Sequence, residues 1–377
     1  MLAPVYFVTD RVPIKVNGKI SKFIDYGQAL SNYSAGVRYV PVPVRDDIKA
    51  KWSELESLGW IDSAGYPAPD STSKKLSQKQ RAEFAASQLS DYDLSDSEVI
   101  GRIKALPSFA GGGNSSGELV VYVHGFYNSF EDGTAGGAEV ASYFKRPVLV
   151  YCWTTPKVQV KPNSMPVPLT SLRIPNLTPK IWQSYRESEV THQHGQDKFT
   201  ALVQGLSHSF DPTRLVLVAH SMGSRVLDQA LLCRYGFYDV VPEDKKFGAI
   251  LFSNPDIDGK YFASHAEQLS QQAKTMRVFF VKQDGAMEVS RFLHGAHNRL
   301  GSPNPGVFAE LRKRKVSMVD MSKLGKGQLG TLGHTMPSWL VANFYKYQTS
   351  DSTQQKYLDN RPNGDDSMII VEPLNAK

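Results

Sequence analysis

The chain has 377 residues, of which 41% are hydrophobic and 21% charged, a composition typical of a globular protein and unlike a disordered or fibrous one. Its 43 basic and 37 acidic residues leave a net charge of +6. The basic residues are scattered and no nucleic-acid recognition motif accompanies them, so we expect no nucleic acid among its partners.

Cysteine content and hydropathy say little about where the protein works. Cys152 and Cys233 lie in apolar patterns and are expected to be buried free thiols. No apolar run approaches the ~18 residues that a membrane-spanning helix needs. The first residues, MLAPVYFVTDR, lack the charged region and the long apolar region of a signal peptide. We therefore expect no transmembrane segment. The compartment stays open: we expect a soluble protein that is cytoplasmic if Met1 is its native start, and otherwise secreted or periplasmic with a signal removed. The oligomeric state stays open.

Short apolar runs alternate with helical patterns along the chain. The runs predict strands at residues 4–8, 37–42, 119–123, 147–151, 215–218, 248–252, 277–281 and 315–319. The helical patterns cover residues 131–144, 182–206, 222–235, 259–272, 287–293 and 338–347. Most strand runs are continuously apolar, which indicates burial on both sides. The sequence predicts an α/β fold with a mostly parallel sheet and helices on both faces.

Three segments interrupt this alternation within a predicted single domain over residues 1–348. Residues 46–117 are polar and helical in pattern and end in a glycine and serine linker. Residues 154–180 carry six prolines and are expected to form a lid-like loop near the site. Residues 349–377 form a polar C-terminal tail that we expect to be mobile.

The stretch RLVLVAHSMGSR places Ser221 where a buried strand meets a helix. A serine on such a tight turn needs small residues two positions away on either side, and Ala219 and Gly223 meet that need. A serine that merely caps the helix beginning at Met222 would need neither. The motif therefore favours a nucleophile at Ser221.

A second strand end supplies backbone N–H groups for a reacting oxygen. LVVYVHGF ends in His124 and Gly125, where the chain can turn toward a substrate. In this architecture one N–H from that loop acts with the N–H after the nucleophile, which predicts an oxyanion hole at Phe126 and Met222. His124 is more typical of a loop-shaping residue than of a base.

Chain order guides the choice of base. In α/β enzymes that carry a nucleophilic serine on such a turn, the acid and then the histidine follow the serine along the chain. His334, in TLGHTMPSWL, comes after the last predicted strand and before a helix. His265 falls inside a helical pattern, and His294 and His297 come before the last strand. His334 is the predicted base.

The acid has two possible positions. Asp284 follows the strand RVFFV, whereas Asp256 and Asp258 follow the preceding strand. Both strand ends lie at the predicted catalytic edge. Each aspartate also precedes a helical pattern, where it would serve as a cap.

The motifs VYVHGFYNSFEDG, AHSMG, SNPDIDGKYF, QDGAMEVSRFLHGAHNRLG and LGHTMP follow one another in this chain. With these motifs, and with VYFVTDR and YRESEV as two further ones, the chain resembles bacterial α/β-hydrolases of unknown function in the esterase/lipase superfamily. The resemblance covers most of residues 5–344 outside the two inserts. It implies an α/β-hydrolase fold and a triad of Ser221, Asp284 and His334. One departure is Trp153-Thr154-Thr155, where the family tends to have Trp-Pro-Ser.

The resemblance implies hydrolysis of a small-molecule or polymeric carboxylic ester through an acyl-enzyme on Ser221, without a cofactor. The alternatives are a peptidase, thioesterase or acyltransferase, and a non-catalytic binding protein on the same fold. Three aromatic residues flank the proline-rich segment and are candidates for substrate binding: Trp153, Trp182 and Tyr185. His192 and His194 lack a third ligand, so no metal site is predicted.

Overall fold

The computed structural model describes residues 1–25, 33–43, 52–62, 77–110, 117–156, 179–232, 245–314, 316–324, 329–330, 332–347 and 368–371. Their contacts divide the chain into two compact units. The first comprises Met1–Tyr122 and Asn128–Thr154, and the second comprises Val123–Tyr127 and Thr155–Lys377. The predicted single domain over residues 1–348 stays a prediction.

The first unit combines a mixed sheet with short helices. Its described elements are β1 (Leu2–Thr9), β2 (Pro13–Val16), β3 (Lys19–Phe23), β4 (Ser34–Pro41), α1 (Trp52–Glu56), α2 (Gln78–Leu89), β5 (Asp91–Leu94), α3 (Asp96–Lys104), α4 (Pro107–Ala110), β6 (Leu119–Val123, its last residue counted with the second unit), α5 (Phe130–Phe144) and β7 (Val148–Cys152). Strand order is β6-β7-β1-β4-β5. β1 pairs in parallel with β7 and antiparallel with β4.

Local signals explain the elements of the first unit that the apolar pattern did not predict. The β2–β3 hairpin turns through Asn17 and Gly18, which both have positive φ, as a two-residue hairpin turn of this kind requires. Within the predicted helical insert, Ser77 and Ser95 form capping boxes at the starts of α2 and α3. β5 lies between these helices and pairs antiparallel with β4.

The second unit holds a parallel sheet whose strands are separated by helices. Its described elements are α6 (Pro179–Ser209), a 3₁₀ turn (Pro212–Arg214), β8 (Leu215–His220), α7 (Gly223–Leu231), β9 (Ala249–Ser253), α8 (Gly259–Gln271), β10 (Met276–Phe280), α9 (Gly285–Leu293), α10 (Pro305–Lys313), β11 (Ser317–Asp320), α11 (Ser338–Tyr347) and β12 (Met368–Ile370). The order is β12-β11-β10-β9-β8, and each neighbouring pair is parallel. Parallel strands bring their carboxyl ends to one edge, which is where this fold class places its sites.

The α/β fold class predicted from the sequence is confirmed. All eight predicted strands and all six helical patterns have counterparts, with ends shifted by a few residues. β6, β7, β9 and β10 are buried along their whole length, as strands covered on both faces must be. Cys152 is a buried free thiol.

In the second unit, α10 and β12 also lie outside the predicted set. α10 begins at Pro305, whose position at the first turn and the side-chain cap from Asn304 are ordinary helix-start signals. β12 lies beyond residue 348, in the segment predicted to be a polar tail. Its MII segment pairs with β11, because that strand offers an open edge to a short apolar run.

Some predictions lie outside the described residues. They concern residues 157–178 of the lid predicted over residues 154–180, residues 111–116 of the glycine and serine linker, most of the tail predicted over residues 349–377, and Cys233. Within the described ranges, no helix combines the length and the apolar character that crossing a membrane would require.

Candidate active site

Ser221 occupies the turn between β8 and α7. Its φ is +53°, a left-handed conformation that non-glycine residues seldom adopt and that the surrounding structure must hold in place. Two backbone hydrogen bonds do so. The Ser221 N–H donates to the Ser253 carbonyl oxygen at 3.0 Å, and the Asp256 N–H donates to the Ser221 carbonyl oxygen at 3.1 Å.

Close backbone approaches explain the small residues around Ser221. A Cβ on Gly223 would lie 2.3 Å from the carbonyl oxygen of His124 and 2.8 Å from that of Val123, so only glycine lets α7 begin here. A Cβ on Gly125 would lie 3.0 Å from the Cβ of Ser221. The loop after β6 can therefore pass directly beside the serine.

The structure brings Ser221, His334 and Asp284 together in one chain of hydrogen bonds. His334 Nε2 lies 2.7 Å from Ser221 Oγ, and His334 Nδ1 lies 2.7 Å from Asp284 Oδ2. The imidazole thus contacts a hydroxyl with one nitrogen and a carboxylate with the other. This is the arrangement in which a neutral histidine can take a proton from a serine.

The Asp284 carboxylate is fully buried and is held by several donors. Oδ1 accepts from the N–H groups of Ala286 (2.9 Å) and Met287 (3.1 Å) at the start of α9. Oδ2 accepts from Asn254 Nδ2 at 3.0 Å and faces His334. Asp284 is therefore both a helix cap and the partner of the histidine, since its two oxygens serve the two roles separately.

The electrostatics of His334 follow from this carboxylate. Burial lowers the pKa of His334, because the charged imidazolium loses water. The negative charge and the hydrogen bond of Asp284 act in the opposite direction and outweigh burial, so the pKa of His334 lies above its ordinary value.

Asp256, which competed with Asp284 in the sequence, lies in a different set of contacts. Its Oδ2 accepts from Arg225 Nη2 at 2.8 Å and from the Tyr185 hydroxyl, and Arg299 Nε lies 3.4 Å from Oδ1. Burial raises the pKa of Asp256, but the positive charges of Arg225 and Arg299 lower it by more than burial raises it. The pKa of Asp256 is therefore well below its usual range. Asp258 caps α8 through the Tyr261 N–H at 2.8 Å.

The three histidines that were not predicted to be the base, His265, His294 and His297, contact carboxylates other than Asp284. The pairs, at 2.5–2.8 Å, are His265 with Asp228, His294 with Glu189 and His297 with Asp258. In the part of the chain that the structure describes, His334 is the histidine that contacts Ser221 Oγ.

Each predicted oxyanion donor follows a residue that the structure places in the site. Met222 follows Ser221 and is fully buried at the start of α7, and Phe126 follows Gly125 in the loop after β6. Among the described residues, neither backbone N–H donates to another protein atom. His124 is buried, and its Nδ1–H donates to the Gly125 carbonyl oxygen at 2.8 Å, which agrees with the loop-shaping role expected for it.

The three candidate substrate-binding aromatics lie in different surroundings. Trp153 is fully buried in the first unit, where its carbonyl oxygen accepts from Arg11. Trp182 is partly exposed on α6. Tyr185, also on α6, is buried, and its ring packs edge-on against Phe126 with 5.3 Å between ring centres. Substrate contact by any of the three stays a prediction.

Sequence reasoning missed His220, the residue before the serine. Its Nε2 lies 2.8 Å from the backbone carbonyl oxygen of His334, and the two rings are 5.1 Å apart, centre to centre. The only signal in the sequence is a histidine inside AHSMG. That signal does not tell which distant backbone group the ring will meet.

A metal ion has no evident site in the described part of the chain, where no three histidine, cysteine, aspartate or glutamate side chains are suitably grouped. His192 is buried on α6, and burial together with the charge of Arg225 lowers its pKa to about 4. The side chain of His194 is outside the described residues.

Comparison with known families gives one result. The model of the family described as alpha/beta hydrolase of unknown function (DUF900) matches residues 112–342. This range contains every residue of the hydrogen-bonded Ser221, His334 and Asp284 set. Searches of curated proteins and of solved structures gave no match.

Proposed function

The chain belongs to the alpha/beta hydrolase family of unknown function, and on that premise we propose that it is a serine hydrolase that cleaves carboxylic esters. The observation that carries the proposal is the relay from Ser221 Oγ through His334 to Asp284, with both contacts at 2.7 Å. A serine that only capped α7 would need no such histidine.

Acylation requires Ser221, His334 and Asp284 together with two backbone N–H groups. His334 Nε2 takes the hydroxyl proton as Ser221 Oγ attacks the ester carbonyl, and the N–H groups of Phe126 and Met222 bind the oxyanion. Asp284 stabilises the imidazolium that forms. When the carbon–oxygen bond to the alcohol breaks, His334 gives its proton to the leaving alkoxide, and Ser221 carries the acyl group.

Deacylation repeats these steps with water. His334 removes a proton from the water, whose oxygen attacks the acyl carbonyl. The bond to Ser221 then breaks, the serine regains its proton from His334, and the acid leaves.

An apolar cleft supports an ester with a hydrocarbon part. It has a volume of about 720 Å³, and its lining includes Gly285, which follows Asp284 in the chain, and Leu332, which lies two residues before His334. Val289, Phe292 and Ala296 contribute to its apolar lining, and Phe292 and Leu332 are exposed. Two charged residues, Glu288 and Arg291, also line it. Burial of apolar surface favours an acyl or alkyl chain in such a cleft.

The test is labelling of the whole chain with a fluorophosphonate, followed by peptide mapping and by turnover of p-nitrophenyl esters of increasing acyl length. We expect the label on Ser221 and hydrolysis that Ser221→Ala reduces by ~10⁴–10⁶. Ser224→Ala, at a buried serine on the helix that follows Ser221, is the matched control and should keep its activity.

The same experiment separates the alternatives. Labelling with preferential turnover of peptides or thioesters, or acyl transfer to an alcohol, would point to a peptidase, thioesterase or acyltransferase. A folded protein that is neither labelled nor active on any of these would be a binding protein on the same fold, and the proposal would be wrong.

A further inference from the structure

His220 directly precedes Ser221 in the chain, and its ring lies against two other segments of the candidate site, at Gly125 and at His334. On one edge, Nε2 lies 2.8 Å from the backbone carbonyl oxygen of His334. On the other edge, Nδ1 lies 3.0 Å from the point where residue 125 would carry a Cβ. The imidazole therefore fills the space between the loop that carries Phe126 and the loop that carries His334.

The contact with His334 defines which nitrogen of His220 carries the proton. A carbonyl oxygen can only accept, so the Nε2–H of His220 must donate to it. Burial, and then the charge of the neighbouring His334, lower the pKa of His220 to about 4. Near neutral pH the ring is uncharged, and its unprotonated Nδ1 edge faces Gly125.

The loop that carries His334 is tied down on both sides. On the side of the acid, the Gly285 N–H donates to the Leu332 carbonyl oxygen at 2.8 Å. On the side of the nucleophile, His220 holds the carbonyl oxygen of His334 itself. The backbone of this loop is therefore bonded to the residue after Asp284 and to the residue before Ser221. The side chain of His334 contacts Asp284 and Ser221 themselves.

We propose that His220 is a positioning residue, which places the imidazole of His334 against Ser221 by holding the His334 backbone and by setting the spacing to the Gly125 loop. The proposal rests on the proposed function, because positioning matters only if His334 acts as the base. His220 contacts no reacting atom in this assignment and acts through His334.

The predicted effect falls on turnover and not on substrate affinity. A displacement of about 1 Å at a reacting group can reduce a rate by ~10². His220→Phe keeps a flat ring but removes the donor, so we expect kcat to fall by ~10–10² with KM unchanged.

A matched pair of amides tests whether the donor itself is responsible. The side-chain amide nitrogen of glutamine reaches about as far as Nε2 of histidine, whereas that of asparagine reaches only as far as Nδ1. His220→Gln should therefore keep a kcat close to that of the wild type, and His220→Asn should lose as much as His220→Phe. This pair decides the matter even if His220→Phe fails to fold.

His208→Phe is the control for loss of a histidine–carbonyl contact elsewhere. His208 is exposed near the end of α6, and its Nδ1 lies 2.7 Å from the Gln204 carbonyl oxygen. Its substitution should leave kcat unchanged. A direct readout is the downfield proton resonance of the His334 Nδ1–H···Asp284 bond, which should weaken in His220→Asn and persist in His220→Gln.

The outcomes are distinguishable from failure of the proposed function. If the wild-type protein neither hydrolyses esters nor takes the fluorophosphonate on Ser221, the proposed function fails and the role of His220 fails with it. If the wild-type protein is active and His220→Asn retains the kcat and the resonance of His220→Gln, only the positioning role is overturned. A change confined to KM or to the unfolding midpoint also overturns it.

Discussion

Arg225 and Asp256 form a buried ion pair, with Nη2 of the arginine 2.8 Å from Oδ2 of the aspartate. Arg225 lies one helical turn after Ser221 and also donates from Nε to the Asp256 backbone carbonyl oxygen. The pair therefore anchors the segment around Asp256, whose backbone N–H donates to the Ser221 carbonyl oxygen. It also engages Asp256, one of the two carboxylates after the preceding strand that were candidates for the acid.

The first prediction separates the two carboxylates. Asp284→Asn should lower kcat by ~10⁴, because a neutral amide neither holds the required tautomer nor stabilises the imidazolium. Asp256→Asn should retain most of the turnover but lose ~3–5 kcal/mol of unfolding free energy, since it removes the buried carboxylate that faces Arg225 and Arg299. Arg225 keeps its ion pair with Glu189 at 2.9 Å. Asp258→Asn should have a small effect on both. Steady-state kinetics and urea unfolding of the three variants provide the measurement. A crippled but stable Asp256→Asn beside a nearly normal Asp284→Asn would place the acid on the other strand.

The second prediction concerns pH. His334 must be neutral to accept a proton, so kcat/KM should rise with pH through an ionisation above 6.5, the ordinary pKa of histidine. The same raised pKa has the opposite consequence for stability. The stabilisation from the His334–Asp284 contact is complete below 6.5 and is lost as the pH rises through the folded-state pKa. Activity should therefore increase and unfolding free energy decrease over one window. His334→Gln should abolish both dependences, and persistence of the activity profile in this variant would assign the base to another group.

The third prediction concerns the close approach at Gly223. Gly223→Ala should lower the free energy of unfolding by about 1–3 kcal/mol or more, because the added methyl would meet the backbone oxygens of His124 and Val123. Gly205→Ala is the matched control. Gly205 lies within α6, and no described atom lies within 4 Å of the position of its Cβ. That variant should gain about 0.5–1 kcal/mol from helix propensity. Urea unfolding of both proteins checks the difference in sign, and equal effects would contradict the tight contact.

The fourth prediction concerns Tyr185. Its hydroxyl contacts Asp256, Ser290 and Arg225, so Tyr185→Phe removes a shared partner from a buried ionic group. We expect a loss of about 1–3 kcal/mol in unfolding free energy with KM nearly unchanged. Trp182→Phe, at a partly exposed position one turn earlier on α6, serves for comparison. A higher KM for Tyr185→Phe at normal stability would instead assign its hydroxyl to substrate binding.

The sequence by itself determined most strands of the sheets, the helices between them and the position of Ser221 on a strand-to-helix turn, because these depend on neighbours along the chain. Continuous apolar runs can be satisfied only as buried strands, and they predicted β8, β9 and β10 to within a few residues. The small residues around Ser221 are also a local requirement. They reflect the close approach of backbone segments that the structure measures at Gly223.

Only the tertiary structure decided which aspartate meets His334 and what His220 does. Asp256 and Asp284 carry the same local signal, since each follows a strand of the parallel sheet and precedes a helix. Their difference comes from Arg225 and Arg299, two cations whose positions depend on how α7 and the segment before α10 pack. The contact from His220 to the His334 carbonyl oxygen spans 114 residues of sequence. A hydrogen bond between such distant residues leaves no periodic pattern in the chain, because it forms only after the strands have been brought side by side.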